Sequence, residues 1–315
     1  MIARQLKDFN ELEIVGAQLK TPGIFQSSRY LKTFRESFVD KKQAWLLGVY
    51  EEDEVKGYGG FEVVKDKVVF LGMKLVLGKE EVTDYGDIVA EDYEQVWEGM
   101  LSWFKKEGYK KLQLDYVRED SETYRVLKDR GKTVKQEIAP YIELPGSWEE
   151  YLESLERKHR KELKRKIKRL EEASSFYHCT KETVKRDFEE FVRLHRLSDR
   201  EKKRFMSEEM KEFFWEVKTG RYEGWWSNLC FLKMKDKPVA GVMSFESDKE
   251  VWLYNSGYDP EYAYYSVGLL LKAYKIKKAI EEGRKRFDFL RGGERYKYEL
   301  GGKDLQLYRI EVELG

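Results

Sequence analysis

Apolar and polar positions group into short strand-like runs in two stretches of this chain, and each stretch ends in a helical pattern and a further strand. In the second half, Leu229–Met234 reads as a strand, Lys235-Asp236-Lys237-Pro238 as a turn and Val239–Glu246 as the returning strand, with Gly241 marking a bulge. Ser247-Asp248-Lys249 then turns into a third strand, Val251–Ser256. A helical pattern over about 267–282, a strand at 286–290 and a last strand, Leu305–Val312, complete the half. The first half repeats the order: Trp45–Tyr50, a turn at Glu51–Glu54, Val55–Val64 with Gly57 placed as Gly241 is, Lys67–Leu71, a helix over roughly 89–107, Gly108 as its cap, and a strand at Leu112-Gln113-Leu114. The glycine pair in the turns is offset by 184 residues and the pair at the helix ends, Gly108 and Gly283, by 175. Loops absorb such a difference. The pattern therefore predicts two copies of one mixed α/β unit, with a chance likeness of two strand–helix–strand units as the alternative.

Between the copies the pattern changes. Ser147-Trp148-Glu149-Glu150 fits a capping box. Leu152, Leu155, His159, Leu163, Ile167 and Leu170 then recur at three- and four-residue spacing, which predicts one long docked helix with a narrow apolar stripe. From Arg157 to Arg169 it carries nine Lys or Arg and a single acid, Glu162. Two further helical regions follow, one at about 182–197 and one holding Met210, Phe213, Phe214 and Val217.

Composition adds bounds. The 315 residues suit two domains, and 41% hydrophobic content with 15% aromatic is ample for two cores. No apolar run reaches membrane-spanning length, and Met1–Gln5 does not open as a signal peptide does. With Cys179 and Cys230 as the only cysteines, no disulfide framework is implied, and a cytoplasmic protein is the simplest expectation. The 60 Lys and Arg nearly balance the 59 Asp and Glu, which argues against wholesale nucleic-acid binding but not against a local patch. A charged fraction of 38% and only three asparagines resemble a thermophile protein. His159, His178 and His195 lack zinc-site spacing with the cysteines, so no metal is expected. His195 reads as a packed residue, Cys230 as core, and Trp225-Trp226 as packing or a pocket wall.

One helix start carries chemistry. Ser266-Val267-Gly268 opens the second copy's helix with a glycine in its first turn and cations nearby at Lys272 and Lys275, a place where backbone N–H groups can cradle a phosphate. The equivalent helix of the first copy opens amid Asp87, Glu91, Asp92 and Glu94, which suit the helix dipole and repel a phosphate. The alternative is that Ser266 is an ordinary N-cap and Gly268 permits close packing. Past the helix, Phe287–Leu290 runs into Arg291-Gly292-Gly293 and then Glu294-Arg295-Tyr296-Lys297.

Several of these pieces together resemble one family. Pro140-Tyr141-Ile142-Glu143-Leu144-Pro145, the helix start at Trp148–Leu152, the basic run after it, Asp84-Tyr85, Leu194-His195, Ser266-x-Gly268, and Asp288–Gly292 followed by Glu294-x-Tyr296-Lys297 are similar to the BioF2-like or CelD-like branch of the GNAT acetyltransferases, related to the Fem peptidoglycan-bridge aminoacyltransferases. The likeness spans about residues 20–312. It departs from the single-domain GNAT phosphate loop, since Tyr264–Leu269 has one glycine and no cation. The resemblance implies an α+β fold of two tandem GNAT-like domains, each a mixed, mostly antiparallel sheet flanked by helices. The domains are expected at 1–145, on the acceptor side, and 146–315, on the acyl-donor side.

The resemblance also implies an enzyme that moves an acyl group, acetyl foremost, from acetyl-CoA or another acyl-CoA. The acceptor would be an amine or hydroxyl of a sugar, cell-envelope precursor or similar small molecule. Tyr265, Ser266, Val267, Gly268 and Leu269 would hold the donor. The strand Val251–Ser256 would offer a backbone N–H to the thioester carbonyl. Tyr254, Tyr296 and Asp84 are candidate proton acceptors or shuttles, and Lys297 is carried over as the group that stabilises the carbonyl, against the plainer reading that it pairs with Glu294. Tyr85, Tyr258, Arg291 and Glu294 would bind substrate. Two rival readings remain. One is a Fem-like transferase using aminoacyl-tRNA, docked by the basic helix, though the long helical-hairpin arm common in such enzymes is missing. The other is a non-catalytic nucleic-acid binder, which leaves the repeat and Tyr296-Lys297 unexplained.

Overall fold

A computed structural model describes residues 1–39, 44–73, 75–77, 81–170 and 174–315. The chain forms two compact units: residues 1–138 with 220–225 and 305–315, and residues 139–219 with 226–304. The expected division at 145/146 thus differs in three ways. The second unit begins at Ala139, and both Gly220–Trp225 and the last eleven residues, Leu305–Gly315, fold into the first unit.

In chain order the first unit holds β1 (Ile2–Gln5), α1 (Phe9–Gly16), α2 (Ser28–Phe38), β2 (Ala44–Glu51), β3 (Glu54–Val64), β4 (Lys67–Phe70), β5 (Val89–Ala90), α3 (Tyr93–Lys106), β6 (Lys111–Arg118) and α4 (Glu122–Leu127). β7 (Lys132–Glu143) runs across the division between units. The second unit continues with α5 (Trp148–Ser154), α6 (Arg157–Leu170), β8 (Ser174–His178), α7 (Val184–Ser198), α8 (Arg200–Phe205) and α9 (Glu208–Thr219). It ends with β9 (Trp226–Met234), β10 (Lys237–Glu246), β11 (Glu250–Tyr258), α10 (Val267–Glu281), β12 (Arg286–Asp288) and α11 (Arg295–Glu299), after which β13 (Lys303–Glu313) closes the chain. Among the described residues no helix is long and apolar enough to cross a membrane.

The repeat read from the sequence is present in the pairing. β2, β3 and β4 form an antiparallel meander, as do β9, β10 and β11. In each unit a helix follows and the next strand returns parallel to the third, β6 beside β4 and β12 beside β11. Lys235 and Asp236 both have positive φ, the left-handed pair that a two-residue hairpin turn needs. The bulges sit beside the glycines expected to carry them. Register shifts at Pro238/Ala240 and at Val49/Tyr50, while Gly241 pairs regularly and leaves room for the Phe231 ring. The aromatic cores are separate: Phe61, Phe70, Trp97 and Phe104 pack together in the first unit, and Val251, Leu270, Ile276 and Phe287 in the second.

The long basic helix is two helices. α5 ends at Ser154, Leu155 is extended, and α6 starts at Arg157. The break lets Leu155 bury while Leu163 and Leu170 dock a differently oriented α6. Ser147 caps α5 through the Glu150 N–H at 3.2 Å, and Glu150 accepts from the Gly146 N–H rather than from the cap residue.

α7 crosses β11 at Gly257. A Cβ there would lie 2.3 Å from the His195 nitrogen and 2.4 Å from its Cα, so backbone meets backbone with no space for a side chain. Gly257→Ala is expected to destabilise the protein by about 2 kcal/mol or more, since neither main chain can step aside. A denaturant midpoint equal to that of the parent would show that α7 yields.

Candidate active site

The second unit differs from the first where the two parallel strands part. β11 and β12 pair only at Glu250↔Arg286, Val251↔Phe287 and Trp252↔Asp288. β11 then continues from Leu253 to Tyr258, while the other chain turns away at Leu290, whose φ is 59°. Asp288, fully buried, holds that turn by accepting from the Leu290 N–H at 2.8 Å. A register shift adds to the parting: Met243 faces Asn255 and Ser244 faces Leu253, so Tyr254 is the extra, bulged residue. In the first unit β4 pairs with β3 without a shift and ends at Phe70, one residue past its last partner on β6. The second copy therefore opens a wedge at the carboxyl ends of its parallel strands, the usual ligand position in such sheets.

α10 begins beside the wedge. Ser266 adopts the left-handed conformation (φ 57°, ψ 37°) and its side chain caps nothing. The first-turn N–H groups of Val267, Gly268 and Leu269 precede the first intrahelical bond, from Leu270 to the Ser266 carbonyl. A left-handed residue leading into right-handed ones turns successive N–H groups toward one point, a nest for an anion. This arrangement corrects the reading of Ser266 as an ordinary N-cap. Tyr265 ends the 3-10 turn before it, Val267 is buried, and Leu269 lines a cavity of about 380 Å³ with Lys158, His159 and Lys166 of α6 and Arg295 of α11. By contrast α3 in the first unit is capped by Asp92, which accepts from the Gln95 N–H at 3.1 Å, and carries Glu94 in its first turn.

The tail after β12 closes the other side. Lys297 is 1% exposed, and its Nζ donates to the carbonyls of Leu290 (2.9 Å), Arg291 (2.6 Å) and Gly292 (2.9 Å) while meeting the Glu294 carboxylate at 2.9 Å. The pairing with Glu294 is real, but it is buried at the lysine end rather than on the surface, and these four acceptors use every donor the side chain has. Lys297 thus ties the turn that diverts the chain from β11. Tyr296 packs on Phe289, and burial pushes its phenol well above the ordinary range, with Glu294 adding to the shift. Glu294 is exposed and Arg291 partly so.

Other expected residues have different settings. Tyr254 stacks between Phe214 and Phe245, with ring centroids 5.3 and 4.4 Å away. The Tyr258 ring lies beneath Gly268, and the Tyr258 N–H donates to Ser198 at 2.8 Å. Asp84 and Tyr85 belong to the first unit. There Tyr85 is buried, its carbonyl accepts from Gln26 at 2.7 Å, and the Arg118 guanidinium lies 5.1 Å from its ring. The structure therefore gathers Ser266–Leu269, Tyr258, Tyr296, Lys297 and Glu294 in one unit and leaves Asp84 and Tyr85 in the other.

Lys272, expected only as a cation near the helix start, and Lys202, not singled out at all, join the group. Lys272, 7% exposed, reaches back along α10 to the Gly268 carbonyl at 3.3 Å and places Nζ 4.6 Å from the Tyr296 ring centroid. Burial, joined by the charge of Lys202, brings its pKa down to about 7. Lys202 of α8 donates to the Ser256 carbonyl of β11 at 2.5 Å, and burial lowers its pKa too. Spacing could have flagged Lys272, which is four residues on from Gly268 and so on the same helix face. Nothing local could have flagged Lys202. His195, packed between Phe191 and Phe205, is brought to about 3 by burial and then by Lys202, so it stays neutral.

Residues 157–298 match the model of the acetyltransferase (GNAT) domain. No curated protein sequence matches the chain. Among solved structures, a conserved protein of unknown function from Bacteroides thetaiotaomicron is similar at TM-score 0.64 and 12% identity, covering 99% of this chain and 100% of its own. FemX is similar at 0.63 and 11%, covering 99% and 97%. The C-terminal domain of a putative lysylphosphatidylglycerol synthetase from Agrobacterium fabrum is similar at 0.59 and 10%, covering 96% and 92%. At these identities the likeness shows a shared fold. The matched segment contains the wedge, the uncapped α10 and the Lys297 turn, so this chain carries a GNAT acetyltransferase domain at residues 157–298 and is an acyltransferase.

Proposed function

We propose that the protein transfers an acyl group, acetyl foremost, from coenzyme A to an amine or hydroxyl of a sugar or cell-envelope precursor, in the cytoplasm. The observation that carries this is the start of α10: an uncapped helix with a left-handed Ser266 opens beside a wedge between parallel strands. A pyrophosphate suits the N–H groups of 267–269, and an extended thioester arm suits the edge of β11 past Trp252, where its pairing with β12 has ended. The neighbouring cavity is lined by Lys158, Lys166 and Arg295 but also by Glu162 and Glu299, which pair with Lys166 and Arg295, so it adds little net charge to the donor site. Tyr254 and Tyr258 would shape the wedge rather than move protons, given their packing. Arg291 and Glu294 would be its acceptor contacts.

Gly268→Asp tests the reading. A Cβ at 268 meets the Tyr258 ring at an ordinary 3.5 Å, so the effect of the carboxylate is electrostatic. CoA affinity measured by calorimetry should fall at least about tenfold in Gly268→Asp and stay within about threefold in Gly268→Ala. Equal affinities in all three proteins would remove the donor from α10.

The exposed cations of α6 favour one second reading, aminoacyl-tRNA as the donor. It predicts binding of charged tRNA with a steep salt dependence and no thermal shift with CoA.

A further inference from the structure

Three lysines converge on the wedge of the second unit, from three elements. Lys297 comes from α11, Lys202 from α8 and Lys272 from α10. Two of them are committed. Lys297 spends its donors on the carbonyls of 290–292 and on Glu294, and Lys202 holds the Ser256 carbonyl of β11. Lys272 is not so bound. Its one hydrogen bond is the long one to Gly268, at 3.3 Å, and its other neighbour is the face of the Tyr296 ring. A helical lysine whose chain folds back toward its own N-terminus points at the positive end of the helix dipole, so the position disfavours its charge. The charged and titratable groups that act on it are Lys202, Lys297 and the single acid Glu294, with Tyr296 against it. Two cations against one exposed carboxylate disfavour a third ammonium in a buried place. The neutral amine has a free lone pair there, and an acyltransferase needs such a group at such a place.

Resting on the acyl-CoA reading, we propose that Lys272 is the general base of the transfer. The acceptor amine or hydroxyl attacks the thioester carbonyl carbon, forming the C–N or C–O bond, and its proton passes to Lys272 Nζ. The C–S bond then breaks, and the ammonium returns that proton to the departing thiolate. Lys272 thus ends the cycle neutral, and no other reactant is consumed. Tyr296 screens the amine from water on one side, and the Gly268 carbonyl orients it on the other. Lys297 acts through position, by keeping the turn at Leu290 in place.

The test has two arms. In the first, protein labelled with 13C-lysine is titrated by NMR. One Cε resonance should move with a midpoint near 7, against about 10.4 for an ordinary lysine, and should be absent from Lys272→Met. A Lys272 resonance that titrates near 10 overturns the proposal, whatever the donor is. In the second, thiol release from acetyl-CoA is followed against pH with a panel of amino sugars and alcohols. Parent kcat/KM should rise through an acid limb near pH 7. Lys272→Met and Lys272→Arg should each lose about 10²- to 10³-fold in kcat, without the limb, while CoA affinity stays within about threefold. Met keeps the apolar stem without the amine and Arg adds a permanent charge, so a melting temperature near the parent's in Lys272→Met separates chemistry from folding. Full turnover with an unchanged limb in Lys272→Met also overturns the proposal. Failure of the acyl-CoA reading looks different: the parent neither binds CoA nor releases thiol, and the NMR midpoint alone then decides whether the buried amine is free to act as a base.

Discussion

Lys297→Ala is expected to destabilise the protein by about 3–5 kcal/mol, because one substitution strands three main-chain carbonyls and a carboxylate around a buried site. The loss has a functional side. The turn tied by Lys297 contains Leu290 at φ 59° and leads the chain away from β11, so loosening it lets the wedge close or drift. In a domain of this size the loss should lower the melting temperature by about 6–15 °C. Lys297→Met separates the causes, since it keeps the stem and removes only the donors. A variant that melts within about 2 °C of the parent would mean that the turn holds without the lysine. One that stays folded with unchanged turnover would take Lys297 out of the mechanism altogether, including the carbonyl-stabilising role implied by the family resemblance.

A loss of similar size is expected from Lys275→Met. Lys275 and Glu246 are each 2% exposed and meet at 2.5 Å, joining α10 to β10 inside the second unit. Ser244 donates a second contact to the same carboxylate at 2.8 Å. Burial alone would raise the pKa of Glu246, but the charge and hydrogen bond of Lys275, with the bonds from Ser244 and Asn228, outweigh it and hold it below the usual carboxylate value. A depressed folded pKa contributes stability that is present above the unfolded value and is lost as pH falls through the folded one. In the parent, then, this contribution is intact at neutral pH and fades below about pH 4. Removing Lys275 leaves burial unopposed by its main partner, at about 3–5 kcal/mol near pH 7. The sign of the pH dependence should also reverse. With the Glu246 pKa now raised, the variant should gain stability as pH falls from 7 toward 5, where the parent does not. Glu246→Gln with Lys275→Met should lose less than either single change, a coupling that a double-mutant cycle reads directly. Additive losses, or a variant as stable as the parent at pH 7, would show that the pair is not a unit. Because the pair anchors α10, its loss should also weaken donor binding at Ser266–Leu269.

Local signals in the sequence were strong where a rule acts over a few residues. The meanders of both units, their helices and the parallel return strands followed from alternation, turn residues and helix period, and the offset between Gly57 and Gly241 carried the repeat. Ser266-x-Gly268 stood out because a helix start is local, although the left-handed geometry that makes it a nest did not. The stripe from Leu152 to Leu170 has a helical period throughout, yet the helix breaks at Leu155 because burying that leucine outweighs continuing the helix. Lys297 reads in the sequence either as a carbonyl-stabilising group or as a surface partner of Glu294, and only the fold brings the carbonyls of Leu290, Arg291 and Gly292 around its Nζ.

What the sequence determined by itself was the fold class and the duplication; the acids at the start of α3 and their lack at α10 are likewise visible in the letters. The tertiary structure alone decided four things: the wedge beyond Trp252, the return of Leu305–Gly315 to the first unit, the stacking of Tyr254, and the meeting of Lys202, Lys272 and Lys297. Each depends on residues far apart in the chain. Burial and charge at a point are sums over every element that arrives there, so the residue types alone do not fix whether Lys272 carries its proton.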